Sequence, residues 1–493
     1  MPLAFGLAPH HFGSRKSRMA PPSETSVSMP LRSARLINTA ANTAPPKKGR
    51  LLRAAGCLAL ALVVTSSAPA ARADIVPPPA EIPSKLTLDD ALATFHAHGF
   101  QILLAEAQVM SAEGDEKIAG AVPNPILSLG YGRVFGYSAS DCTDPSQCSP
   151  NSYSIGLSDN SLIEDSLSGK RGLRLKVARS ALAAAKMSRL DAQRNLEFQV
   201  KAAYVQVVLA ADTLDFAKEA LKTNTLELDL DQRRYDKGAI NEGDLARMKT
   251  QKLEAEQAVD TAMQGLRQAR VGLAFLLGVR GRVPEFDVDR EVLKYRIPDV
   301  LKTSSPDALL RDAFEKRPDL RALGYQRQSA EAQIRLNKRQ VFPDIQLSVN
   351  YTQTGTGAQA IQPPTLSVGL SAPLPLFYQM QGDIRKAEAN YNTQSLLQGQ
   401  TTAQVVNDLE TAYAAFAGSK VLVERMERTE LETAKLARDI TEKQFHGGTA
   451  TLMDFLDAQR TYIATNIEYL QDLTSYWTAV YQLEQAVGGD LRK

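Results

Sequence analysis

Asp454 and Asp457 stand one helical turn apart in "MDFLDA" (residues 453–458), so on a helix both carboxylates fall on one face. Acids so spaced act electrostatically: they concentrate cations and repel anions. The local alternative is that they are helix-start acids, favoured by the positive end of the macrodipole. Asp244 is a weaker candidate because its stretch lacks the second acid. Other chemistry-bearing residues are sparse. Past residue 73 the chain has three histidines, His96, His98 and His446, and two cysteines, Cys142 and Cys148. His96 and His98 are two apart, do not share a helix face, and read as surface residues. His446 alone could meet a passing cation. There is no set of metal ligands, no Gly-rich phosphate loop and no catalytic constellation, so neither an enzyme nor a cofactor is expected.

These acids belong to a turn that the chain writes twice. "RRYDKGAINEGDL" (233–245) and "KQFHGGTATLMDF" (443–455) share an aromatic, a glycine three later and an aspartate nine later: Tyr235, Gly238, Asp244 and Phe445, Gly448, Asp454. The echo extends outward. "VPNPILSLGY" (122–131) aligns with "FPDIQLSVNY" (342–351), and "SYSIGLS" (152–158) with "TLSVGLS" (365–371). An internal duplication follows, with repeats at 86–290 and 300–489. They are separated by a linker at 291–299, preceded by a Pro-rich segment at 74–85 and followed by a tail at 490–493.

Each repeat opens with a helix, capped at Thr87 or at Ser305 with Pro306 after it, that runs to the proline at 123 or 343. Two strands follow. Leu127, Leu129 and Tyr131 alternate with Ser128, Gly130 and Gly132, and Tyr153, Ile155 and Leu157 with Ser154, Gly156 and Ser158. In the second repeat Leu347, Val349 and Tyr351 alternate with Ser348, Asn350 and Thr352, and Leu366 and Val368 with Ser367 and Gly369. Period two with one apolar and one small polar side is a half-buried strand. Such a strand could pack on a soluble core, but a polar side of Ser, Gly and Asn also suits a watery lumen. A long helical pair closes each repeat. Leu173–Lys237 contains no Gly or Pro over 65 residues, enough for a helix of about 95 Å. Leu196, Val200, Ala203, Val207, Ala210, Leu214, Ala217 and Leu221 keep a 4,3 coiled-coil spacing. Leu409, Tyr413 and Phe416 begin the second repeat's seam.

Residues 1–73 hold ten Lys/Arg and one Asp/Glu, leaving 47 and 54 of the chain's 57 and 55 to the rest. The mature part is therefore acidic, and no nucleic-acid partner is expected. The leader reads as an export signal: basic residues, the apolar run "CLALALVV" (57–64), then small residues, with cleavage expected after Ala73. No later stretch is long and apolar enough for a spanning helix, so bilayer entry would require a closed β-barrel. Four strands cannot close one large enough to conduct; three copies would bring twelve. In an exported chain Cys142 and Cys148, flanking a loop rich in Asp, Pro and Ser, read as a local disulfide, with a metal pair as the rival.

Export signal, duplicated strand pairs, duplicated coiled coils and the motifs "PNPILSLGYG", "SVGLSAPLPLF" and "GTATLMDFLDAQ" together resemble the TolC-like outer-membrane efflux channels, over residues 86–489. The segment order is most similar to the CzcC-like branch that serves heavy-metal cation pumps. The resemblance implies a mainly α chain with a small β part. Its homotrimer would form a 12-stranded barrel in outer-membrane lipid and a periplasmic helical tunnel. It implies a periplasmic adaptor and an inner-membrane pump, of RND type, as partners. Tyr235, Gly238, Phe445 and Gly448 would be helix-hairpin tips that meet the adaptor. Ser128, Ser154, Ser348 and Ser367 would face the lumen, and Asp454, Asp457 and Asp244 would ring the periplasmic aperture. Where some family members lock the closed mouth with tyrosine and arginine, this chain has Phe445 and Ala450. The expected function is an exit duct for metal cations. The alternatives are a duct for drugs or secreted polypeptide, or a coiled-coil scaffold without a pore.

Overall fold

The computed structural model describes residues 77–135, 138, 149–159, 165, 167–353 and 364–491. The leader, Cys142 and Cys148 lie outside the described residues.

The first repeat begins with a two-residue strand β1 (Lys85–Leu86), then α1 (Leu88–His98) and α2 (Phe100–Gly120). The Thr87 hydroxyl accepts from the Asp90 amide and caps α1. One helix was expected here and two are found. Gly99 leaves the helical region at ψ 121°, and a Cβ there would strike the Phe95 ring. Strands β2 (Ile126–Arg133) and β3 (Asn151–Ser158) lead into α3 (Lys170–Asp236), a single helix of 67 residues, and α4 (Glu242–Leu276) returns along it.

The second repeat has the same order. After β4 (Asp287–Val288), a 3-10 turn (Arg290–Leu293) and the short α5 (Asp299–Thr303) come α6 (Pro306–Lys316) and α7 (Pro318–Gln340). Again two helices replace the one expected. The break falls at Arg317, because Pro318 disfavours the helical region for its predecessor. Strands β5 (Gln346–Gln353) and β6 (Thr365–Ser371) precede α8 (Gln381–Arg425), a five-residue π turn (Met426–Glu430) and α9 (Leu431–His446), with α10 (Leu452–Val487) returning. The π turn inserts one residue's slip into the long helix, which its copy α3 lacks.

The core lies midway along the bundle. Val200, Tyr204, Val207 and Val208 of α3 pack with Trp477, Val480, Tyr481 and Leu483 of α10 and with Phe95 and Leu409. The linker region is fastened to this core. β1 pairs in parallel with β4, the Tyr204 hydroxyl accepts from the Asp289 amide, the Trp477 indole donates to the Lys294 carbonyl and the Tyr476 hydroxyl to the Arg296 carbonyl. Inside the core the Lys201 ammonium meets the Glu484 carboxylate at 2.5 Å, both side chains less than a tenth exposed.

Candidate functional site

Two regions of the fold hold the residues singled out by sequence: the sheet and the two helix-hairpin tips.

The four long strands form one antiparallel sheet in the order β2-β3-β5-β6. Its register pairs Ser128 with Gly156, Gly130 with Ser154, Gly156 with Asn350, Ser348 with Gly369 and Asn350 with Ser367. Paired residues share a face, so Ser128, Ser154, Ser348 and Ser367 all lie on one side. Leu129, Ile155, Tyr351 and Leu366 line the other through their own pairings. Among the described residues nothing covers that apolar face: Leu129 is 63%, Ile155 47%, Val368 69% and Leu370 73% exposed. Among the described residues no helix is long and apolar enough to cross a membrane.

Both tips are built by one local rule. In the first, the Gly238 amide donates to the Tyr235 carbonyl and the Ala239 amide to that of Arg234; in the second, Gly448 donates to Phe445 and Thr449 to Gln444. This bond pair closes a helix only when the glycine is left-handed, and the two have φ of 75° and 76°. Three residues on, Asn241 and Thr451 cap α4 and α10 by accepting from the Asp244 and Asp454 amides. The Asp454 carboxylate accepts in return from the Thr451 amide at 2.9 Å and its hydroxyl at 2.6 Å, completing a capping box. The repeated spacing of aromatic, glycine and aspartate therefore records a helix end, its turn and the next helix's start.

The aspartates thus have a local role as well. Bonds from Thr451 hold the Asp454 carboxyl below its usual range. Asp244 accepts from Asn241 and pairs with Arg247. Asp454 and Asp457 are both exposed, the second on the next turn of α10. Phe445 is a packing residue, stacked on Phe455 at 5.3 Å with rings 7° apart, whereas Tyr235 is 37% exposed.

Behind the tips lies a group that the sequence did not suggest. The buried residues of α3 change from apolar at Leu214 to Asn224, Glu227 and Asp231. The His446 ring meets Glu227 at 3.5 Å, Arg234 pairs with Asp231 at 3.2 Å, and Gln459 donates to Asn224 at 3.3 Å. Burial raises the carboxyl pKa of both Glu227 and Asp231. Asn224 and Asp231 continue the seam beyond Leu221 in polar residues, with Glu227 one position off it, and that is the available signal; His446 and Gln459, which meet Glu227 and Asn224, are more than 200 positions away.

An open-faced sheet of four strands joined to paired, very long helical hairpins defines the subunit of an outer-membrane channel. The model of the outer membrane efflux protein family matches residues 94–279 and 309–489, and the chain belongs to that family. It is 22% identical over 412 residues to the cobalt-zinc-cadmium resistance protein CzcC of Cupriavidus metallidurans, covering 83% of this chain and 92% of that one. It is 24% identical over 399 residues to the pyoverdine export outer membrane protein OpmQ of Pseudomonas aeruginosa, covering 78% and 81%. The fold matches that of the Campylobacter jejuni CmeC outer membrane channel with a TM-score of 0.68 at 15% identity, over 82% and 85% of the two chains. The protein is thus an outer-membrane efflux channel component that reaches into the periplasm, and not an enzyme.

Proposed function

We propose that this chain is the passive exit duct of a tripartite efflux system and that its cargo is heavy-metal cations. The family works with a periplasmic adaptor and an inner-membrane pump; here we assign an RND pump and a homotrimer. The observation that carries the duct is the sheet, whose uncovered apolar face and small polar face require lipid on one side and water on the other. Three copies supply twelve strands and twelve long helical passages. Ser128, Ser154, Ser348 and Ser367 then line the barrel, and the tips around Tyr235, Gly238, Phe445 and Gly448 meet the adaptor.

The cation reading rests on Asp457 and Asp454, exposed on successive turns beside the second tip. Threefold symmetry places six such carboxylates at the mouth, with Asp244 contributing beside the first tip. Acidic rings favour cations at a narrow aperture without holding them tightly. The likeness to CzcC points the same way, and the likeness to OpmQ is the reason to keep an organic cargo as the second reading.

Growth of a deletion strain on salts of zinc, cadmium, cobalt, nickel, copper and silver, beside dyes and detergents, separates the two. Sensitivity confined to metals and restored by the intact gene is expected. Sensitivity to dyes or detergents with unchanged metal tolerance overturns the cargo assignment. A chain that washes off membranes as a scaffold would overturn the duct itself.

A further inference from the structure

We propose that Glu227, Glu442 and His446 form a binding site for one divalent cation of the zinc or cobalt type, tying the first helical hairpin to the second near their tips. The ligand atoms of the three side chains lie within 4.8 Å of one another. Glu227 comes from α3 in the first hairpin, and Glu442 and His446 from successive turns of α9 in the second.

Proximity of acids alone would mean little. The second observation is Glu227 itself: it is 8% exposed, and its Oε2 has no hydrogen-bond partner among the described residues. A carboxylate oxygen held from water with no donor is costly unless something positive reaches it. The His446 ring stands against the other oxygen, Oε1, at 3.5 Å, and leaves Oε2 unserved. The need for positive charge extends behind it, since Asp231 Oδ2 is also buried and unpartnered. Arg234 answers only part of that charge: it bonds Asp231 Oδ1 and lies over the Phe445 ring at 5.1 Å.

The donor set selects the ion. One imidazole nitrogen and two carboxylates suit zinc, cobalt or nickel, whereas calcium and magnesium take oxygen ligands alone. Coordination through His446 Nε2 requires the tautomer with its proton on Nδ1. Arg234 Nη2, 3.5 Å from Nδ1, must then turn away from the ring. The three side chains close by small rotations around the ion, because ligands about 2.0–2.2 Å from a zinc sit nearer one another than the 4.8 Å that bounds this cluster.

This site is separate from the acidic mouth: its ligands include the buried Glu227, and it binds in place instead of conducting. The test is titration of the purified, detergent-solubilised mature protein with Zn²⁺ by calorimetry and with Co²⁺ by visible absorption. One saturable ion per chain is expected, with hydrogen exchange slowed in both hairpins together. Glu442→Gln and His446→Ala should each weaken binding by at least about tenfold. His96→Ala, on a histidine distant in the fold, should not. Unchanged thermal melting of the ion-free variants shows that they fold. Absence of saturable uptake by the parent protein, or uptake indifferent to both substitutions, overturns the site. The growth assay for cargo is independent, because an organic-compound duct with this site would still bind zinc in vitro.

Discussion

Gly238 and Gly448, 210 positions apart in the chain, hold the same left-handed backbone at φ 75° and 76°. Each receives its helix through the same two amide bonds and hands it on to a capped successor. A Cβ at either would meet no neighbouring atom, so the demand for glycine is one of backbone conformation alone.

Gly448→Ala should therefore destabilise the second tip by about 1–2 kcal/mol, the cost of a left-handed alanine. Gly447→Ala, one residue earlier in right-handed helical geometry at φ −80°, should cost less. Hydrogen exchange over residues 440–456 measures both. Equal losses at the two positions would contradict the turn geometry.

The second tip should also be acid-sensitive. Asp454 has its carboxyl pKa lowered from 3.8 by the Thr451 hydroxyl and amide. A depressed folded pKa means that the contribution is complete above the unfolded value and disappears as pH falls through the folded one. Local protection of the start of α10 should thus decline below pH 3.8. Thr451→Val, which removes the hydroxyl, should shift that decline upward in pH. An unchanged acid profile in the variant would remove Thr451 as the cause.

Neighbouring strand residues should respond in opposite ways to charge. Ile155→Lys places an ammonium on the apolar face and should weaken insertion by about 2–4 kcal/mol at mid-bilayer depth. Ser154→Lys points to the polar face and should be tolerated. The yield of outer-membrane protein that resists urea extraction reads the difference, and equal behaviour would reject the two-faced sheet.

In the helical core, Lys201→Met removes the cation from the buried Glu484 carboxylate at 2.5 Å. The expected loss is about 3–5 kcal/mol, because the remaining charge stays desolvated. Adding Glu484→Leu should recover much of it. Chemical denaturation of the two single variants and the double checks the cycle, and losses in the singles that simply add in the double would show that the pair is not coupled.

Two kinds of residue made the architecture legible in the sequence. The strands could be read because alternation at Leu127–Tyr131 and Leu347–Tyr351 is a two-residue property of one chain segment, and one face needed burial. α3 could be read because 65 residues without Gly or Pro leave helix as the local solution. The glycine and aspartate of each tip could be read because a helix end and the next helix start are written within ten residues.

The breaks at Gly99 and Arg317 were missed for other reasons. Their flanking segments are helical by pattern: at Gly99 packing against the Phe95 ring fixes where the chain turns, whereas at Arg317 the following Pro318 is a local signal that the helical pattern on both sides outweighs. The pinning of the linker by Tyr204, Tyr476 and Trp477 is likewise tertiary, since carbonyls of an irregular segment carry no pattern.

The sequence by itself determined the periodicities, the caps and the doubled plan, all set by interactions across a few residues. Only the tertiary structure decided that Glu227 is buried against His446, 219 positions away. The two residues stand on separate helices, α3 and α9, and no pattern within either segment pairs one with the other.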